Sequence, residues 1–124
     1  MNPAMTDVAI GVAVGLVTGV VSALCGVGGG IIMVPAFVSF FKLPQKTAVA
    51  TSLAAIILTS VAASLRNTGN QLVDWKVAIP TGVAAAVTAW FAAGWLRSMS
   101  NVTLTRIFAV LVIAVGVRML WAGK

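Results

Sequence analysis

Charge is absent from Val8 to Phe41 and returns afterwards only at Lys42 and Lys46, Arg66, Asp74 and Lys76, Arg97, Arg106, Arg118 and Lys124. Between the clusters run uncharged segments from Thr47 to Leu65 and from Val77 to Leu96. Each is close to the 20 or so apolar residues that cross a hydrocarbon core. A last segment runs from about Val102 to Trp121, and its uncharged centre, Ile107 to Val117, is too short to span alone. Arg106 and Arg118 therefore snorkel toward headgroups, or one of them faces a polar cavity. The first run is too long for one ordinary span and carries Gly26, Gly28, Gly29 and Gly30 near its centre. Glycine weakens a helix by its backbone entropy. Pro35 has no N–H, and its ring disfavours a helical carbonyl at Ile31. The pattern predicts half-helices from Val8 to Leu24 and from Ile31 to Phe41. They are joined by an irregular hinge that either crosses once or doubles back as a re-entrant hairpin.

The punctuation fits. Pro44 is placed to open the second segment, as proline is favoured in a first turn. Arg66 to Gln71 reads as a polar loop, and Trp75 as a headgroup anchor. Pro80 is expected in the first turn of the third segment, where it costs little. Ser98 to Asn101 reads as a tight turn. The expectation is an all-α integral membrane protein with about four transmembrane segments, the first broken, forming a single membrane domain over residues 1–124.

Composition sharpens this. The 124 residues are 60% hydrophobic and 8% charged, with mean hydropathy +1.10. A soluble domain carries about 25% charged residues. The net charge of +6 comes from scattered basic residues at segment ends, so a lipid bilayer is the expected partner and no nucleic acid is. With no His and one Cys, the chain cannot build a Cys/His zinc site, an internal disulfide or a His-dependent catalytic set. The only acids are Asp7 and Asp74 near segment ends. No carboxylate pair and no in-membrane proton relay is expected, and neither an enzyme nor a cofactor. Met1 to Asp7 has no Lys or Arg, so the first segment reads as retained rather than as a signal peptide.

The basic residues give no orientation. Lys42, Lys46, Arg97 and Arg106 fall on one side, and Arg66, Lys76, Arg118 and Lys124 on the other. This tie under the positive-inside rule means either a weak orientation signal or a protein that inserts both ways and pairs as an antiparallel homodimer.

Candidate chemistry lies at two places. At the hinge, a helix starting at Gly30-Ile31 would present free N–H groups and a positive dipole end, which suits an anion. The glycines would equally let another helix approach closely. No Gly-Lys-Ser/Thr follows, so this is not a phosphate loop of the Walker type. Cys25, beside the hinge, reads as a packing residue or a site residue. On the second segment, Ser52, Thr59 and Arg66 recur every seven residues on one face, with Ala55, Ala62 and Ala63 in the stripe and Thr51 one step around. Hydroxyl and guanidinium donors could line an anion path, or the stripe could serve helix packing. The third segment's small stripe (Thr81, Ala84, Ala85, Thr88, Ala92 and Trp95) reads as packing.

Gly26-Val-Gly-Gly-Gly-Ile-Ile-Met-Val-Pro35, then Ala50-Thr51-Ser52-Leu53, then Val73-Asp74-Trp75-Lys76, resembles one repeat of the TauE/SafE family of sulfite-exporter-like membrane proteins. The likeness covers about Gly15 to Trp121. It implies transport of small sulfur-containing or organic anions, such as sulfite, across a bacterial inner membrane by a multi-pass protein. Members of that family carry two such repeats and this chain has one, which implies that two copies assemble to rebuild the usual unit, or that the chain is a fragment or a partner subunit. The resemblance marks Gly28, Gly29, Gly30 and Pro35 as the hinge, with Thr51 and Ser52 facing it. An anion would shed part of its water in a cavity between two copies, against N–H groups of Gly28 to Ile31 and hydroxyls of Thr51 and Ser52. The other reading is a non-transporting subunit or scaffold. A small multidrug exporter would need a buried carboxylate that the sequence lacks.

Overall fold

The computed structural model describes residues 3–122; Met1, Asn2 and Lys124, which enter the leader and charge-tie readings above, lie outside the described residues. Five helices follow one another: α1 (Pro3–Cys25), α2 (Gly30–Phe40), α3 (Gln45–Gly69), α4 (Trp75–Leu96) and α5 (Asn101–Ala122). Among the described residues there is no strand. Four of the helices, α1, α3, α4 and α5, are long and apolar enough to cross a membrane, and α2 is a shorter apolar helix. The fold is that of an all-α integral membrane protein.

The break falls at the glycines, and Gly26, Gly28 and Gly29 have φ of 68°, 69° and 74°. An L-residue adopts such angles only at a cost of about 1–2 kcal/mol. The two pieces are unequal, however. Counting 1.5 Å per residue, α1 is about 34 Å long and α2 about 16 Å. So α1 is a full-length helix, not a half-helix, because it reaches back through Asp7 to Pro3. It brings exposed Asp7 into its second turn.

α2 folds back along α1. A Cβ on Gly11 would lie 3.8 Å from the Phe41 ring, while one on Gly29 would lie 3.4 Å from Thr18. Two collinear helices could not satisfy both contacts. The broken element is therefore a helical hairpin, with the start of α1 at the same end as the close of α2. α2 also packs on α3, and α3 on α5. Met33 and Val34 of α2 and Ala48 of α3 form the buried apolar core. α4 has no comparable partner among the described residues, and Trp75 to Trp95 are exposed throughout.

α3 is longer than the sequence pattern implies. Pro44 stands at its N-cap rather than in its first turn, and the helix continues through Arg66, Asn67 and Thr68 instead of ending in a loop. It stops at a reverse turn: Leu72 N–H donates to Asn67 O (3.0 Å) and Gln71 N–H to Thr68 O (3.0 Å), with Gln71 at φ 57°. This is a Schellman cap with glutamine where glycine is usual. α4 begins at Trp75, two residues earlier than expected, because the Asp74 carboxylate accepts from Lys76 N–H (3.0 Å). Pro80 therefore sits in the second turn, where it removes the bond to the Lys76 carbonyl. The near end is tied by Lys46, whose ammonium donates to Arg97 O (3.0 Å) and whose N–H donates to Asn101 Oδ1 (3.3 Å). On α5, half-buried Leu104, Phe108 and Val112 face inward and Arg106 and Arg118 are exposed.

Candidate functional site

The hinge is a packing device and a polar surface together. A Cβ on Gly28 would stand 3.1 Å from Ile56 Cγ2, and one on Gly30 would stand 3.2 Å from Ile56 Cδ1. Gly29 is buried, and its Cβ would meet the Thr18 Cβ and carbonyl oxygen at 3.4 Å and Met33 Cε at 3.5 Å. Ile56 lies at the midpoint of α3, so the hinge is held at half the depth of a spanning helix. These contacts are those of the close-packing reading of the glycines.

Backbone donors are concentrated there. Among the described residues, no N–H group from Val27 to Ile31 makes a full hydrogen bond, although Gly28 and Gly29 form a turn. The first N–H groups of α2 to bond are those of Ile32 and Met33, both to Gly29 O, at 3.1 and 2.9 Å. Gly29 occupies the N-cap and offers no side-chain cap. A helix start with open donors carries a partial positive charge worth about 0.3–1 kcal/mol to an anion. Beside it is a cleft of about 160 Å³, lined by Ser22, Gly26, Gly28, Ser60, Ser64 and Asn67 among others, with no charged side chain.

The other sequence candidates distribute as follows. Ile31 and Pro35 line a separate, apolar cleft of about 430 Å³ between α2 and α5, with Val38, Phe108 and Val112. Pro35 lies inside α2, past its first turn, and not in the bend. Ser52 is 2% exposed and donates to Val49 O at 2.8 Å. It lies on the Ile56 face one turn earlier, with its proton committed to its own helix. Thr51 is exposed. Thr59 is half-buried and donates to Ile56 O at 3.0 Å. Arg66 is exposed near the end of α3, and Cys25 is exposed at the end of α1. Neither is among the residues that line the cleft. The hinge and Ser52 thus share one face of α3, but Thr51, Arg66 and Pro35 do not join them.

A glycine-broken helical hairpin laid against a hydroxyl-bearing helix is the arrangement behind the sequence motifs quoted above. The sequence profile described as Sulfite exporter TauE/SafE matches residues 8–124. The chain belongs to the TauE/SafE family. It is 34% identical over 118 residues to the "Probable membrane transporter protein YunE" of Bacillus subtilis (strain 168), covering 92% of this chain and 42% of that protein. It is 31% identical over 112 residues to a "Probable membrane transporter protein" of Xylella fastidiosa (strain 9a5c), covering 88% of this chain and 42% of that one. The chain therefore spans under half the length of these curated relatives. No solved structure matches it.

In this TauE/SafE chain, sequence reasoning missed Ser22, Ser60, Ser64 and Asn67. A signal existed, since Ser60, Ser64 and Asn67 follow a helical i, i+4, i+7 spacing. The seven-residue register of Ser52, Thr59 and Arg66 masked it. α3 changes partner at its midpoint, from α2 to the hinge, and its inward face turns with that change from Ser52 toward Ala63 and Asn67, leaving Ala62 and Arg66 outside.

Proposed function

We propose that the protein is a membrane transporter of small sulfur-containing or organic anions such as sulfite, an exporter of the bacterial inner membrane that works as a homo-oligomer through the glycine hinge. The observation that carries this reading is the run of open N–H donors at the start of α2, fixed against the middle of α3. An anion that enters loses part of its water, and the donors of Gly28 to Ile31 replace it at a positive helix end. In one copy Thr51 is exposed and the Ser52 proton is bonded to Val49 O; in this reading the two hydroxyls join the backbone donors where copies meet. The only described acids are Asp7 in the second turn of α1 and Asp74 at the cap of α4. The simplest drive is then the membrane potential, about 2.3 kcal/mol per charge per 100 mV. Potential-driven sulfite flux in liposomes containing the purified chain tests the reading.

A second reading has its own support. α4 has no helix partner comparable to the others among the described residues. A non-transporting membrane subunit or scaffold that needs a partner chain would show this feature. Pull-down of a stable heteromeric partner, with no flux from the pure chain, favours it.

A further inference from the structure

We infer that the cleft between the end of α1 and the second half of α3 is the seat of a small oxyanion, bound by Ser22, Ser60, Ser64 and Asn67 through neutral donors alone. The inference rests on the transport reading for the class of ligand and adds the residues that hold it.

Ser22 is the deciding residue. It is 7% exposed and lines the cleft, and its hydroxyl has no hydrogen-bond partner among the described residues. No described buried side-chain polar atom is sealed off without a partner, so that hydroxyl keeps access to the cleft. One turn earlier on α1, Thr18 is 0% exposed and donates to Val14 O at 2.7 Å. Serine and threonine in membrane helices ordinarily bond back to their own carbonyls, as Thr18, Ser52, Thr59 and Thr68 do here. Ser22, Ser60 and Ser64 do not.

The chemistry of the lining selects the ligand. Three hydroxyls and a carboxamide can all turn a hydrogen inward, and Gly28, whose N–H makes no hydrogen bond, also lines the cleft. The volume of about 160 Å³ exceeds what one water needs and suits a sulfite-sized or methanesulfonate-sized ion. With no lysine or arginine in the lining, the anion is held without a counter-charge. Binding is then weak enough for release on either side, and it does not depend on titration of any cleft side chain.

The test uses the purified full chain, with sulfite and methanesulfonate as probes. Binding is measured by titration calorimetry and flux in liposomes, for the wild type and for S60A/S64A. Both serines are exposed, so the fold should survive, as an unchanged melting temperature will show. S22A is the second variant. We expect S60A/S64A to bind sulfite about tenfold more weakly, the loss of roughly one charge-assisted hydrogen bond, and to lose flux in parallel. Wild-type flux that is unchanged in both variants overturns the cleft assignment and leaves the transport reading standing. Binding weakened by the variants, with no flux even from the wild type, upholds the cleft and removes the transport reading. Binding that follows sodium rather than the anion, or no binding at all, overturns the inference.

Discussion

Thr18 of α1 and Gly29 of the hinge close on each other so tightly that a Cβ on Gly29 would stand 3.4 Å from both the Thr18 Cβ and its carbonyl oxygen. Gly29 also holds φ 74°. The contact fixes α1 against the start of α2 and leaves the donors of that start unbonded.

Gly29→Ala therefore meets strain and crowding at once. We expect it to lower stability by about 1–2 kcal/mol from the backbone angle alone and to abolish flux. Thermal unfolding in detergent beside liposome flux checks this; an alanine variant with wild-type Tm would contradict the geometry.

Gly30→Ala is the matched control. Gly30 has no positive φ, and its added methyl would meet only the far end of Ile56, Cδ1, at 3.2 Å. Alanine also gains about 1 kcal/mol of helix propensity over glycine. The variant should stay within about 1 kcal/mol of wild type, and Gly30→Ala/Ile56→Val, which removes Cδ1, should be no less stable than wild type. A double variant worse than the single would show that Ile56 is not the neighbour that matters.

At the far end of α3, Gln71 holds φ 57° at a cap position where glycine is favoured. Gln71→Gly should raise stability by about 1 kcal/mol, read as a higher Tm. Asp74→Ala, which removes the acceptor for Lys76 N–H, should lower it by about 1 kcal/mol.

The basic residues on the two sides tie at four each when Lys124 is counted. Lys46 and Arg97 do meet at one end, as the two-sided count requires. Labelling of a cysteine added at the C-terminus, in a Cys25→Ser background, should find it on both sides of the membrane. Label on one side only would end the proposal of dual insertion.

Most of the fold was legible because a membrane segment is written in charge spacing and length. The helix break was legible because four glycines occupy five positions. The lengths were less so. Polar residues were read as loop, yet Arg66 to Thr68 extend α3, since a Schellman cap at Gln71 and not their polarity decides where it stops. Asp74 likewise moved the start of α4 and so pushed Pro80 past the first turn. The site was half legible. Local sequence marks an open backbone at Gly28 to Gly30, but it does not say which hydroxyls bond to their own helix. Ser52 was chosen by spacing and proves committed to Val49, while Ser22, 30 positions away on another helix, faces the hinge cleft. Only the packing of α1 across α3 brings it there.

The most direct measurement is sulfite flux into liposomes containing the purified chain, under an imposed potential, for the wild type, Gly29→Ala and Gly30→Ala. The account predicts saturable flux that follows the potential, is lost in Gly29→Ala and is kept in Gly30→Ala. A well-folded wild-type protein that moves neither sulfite, sulfate, thiosulfate nor a small sulfonate at any potential would contradict it.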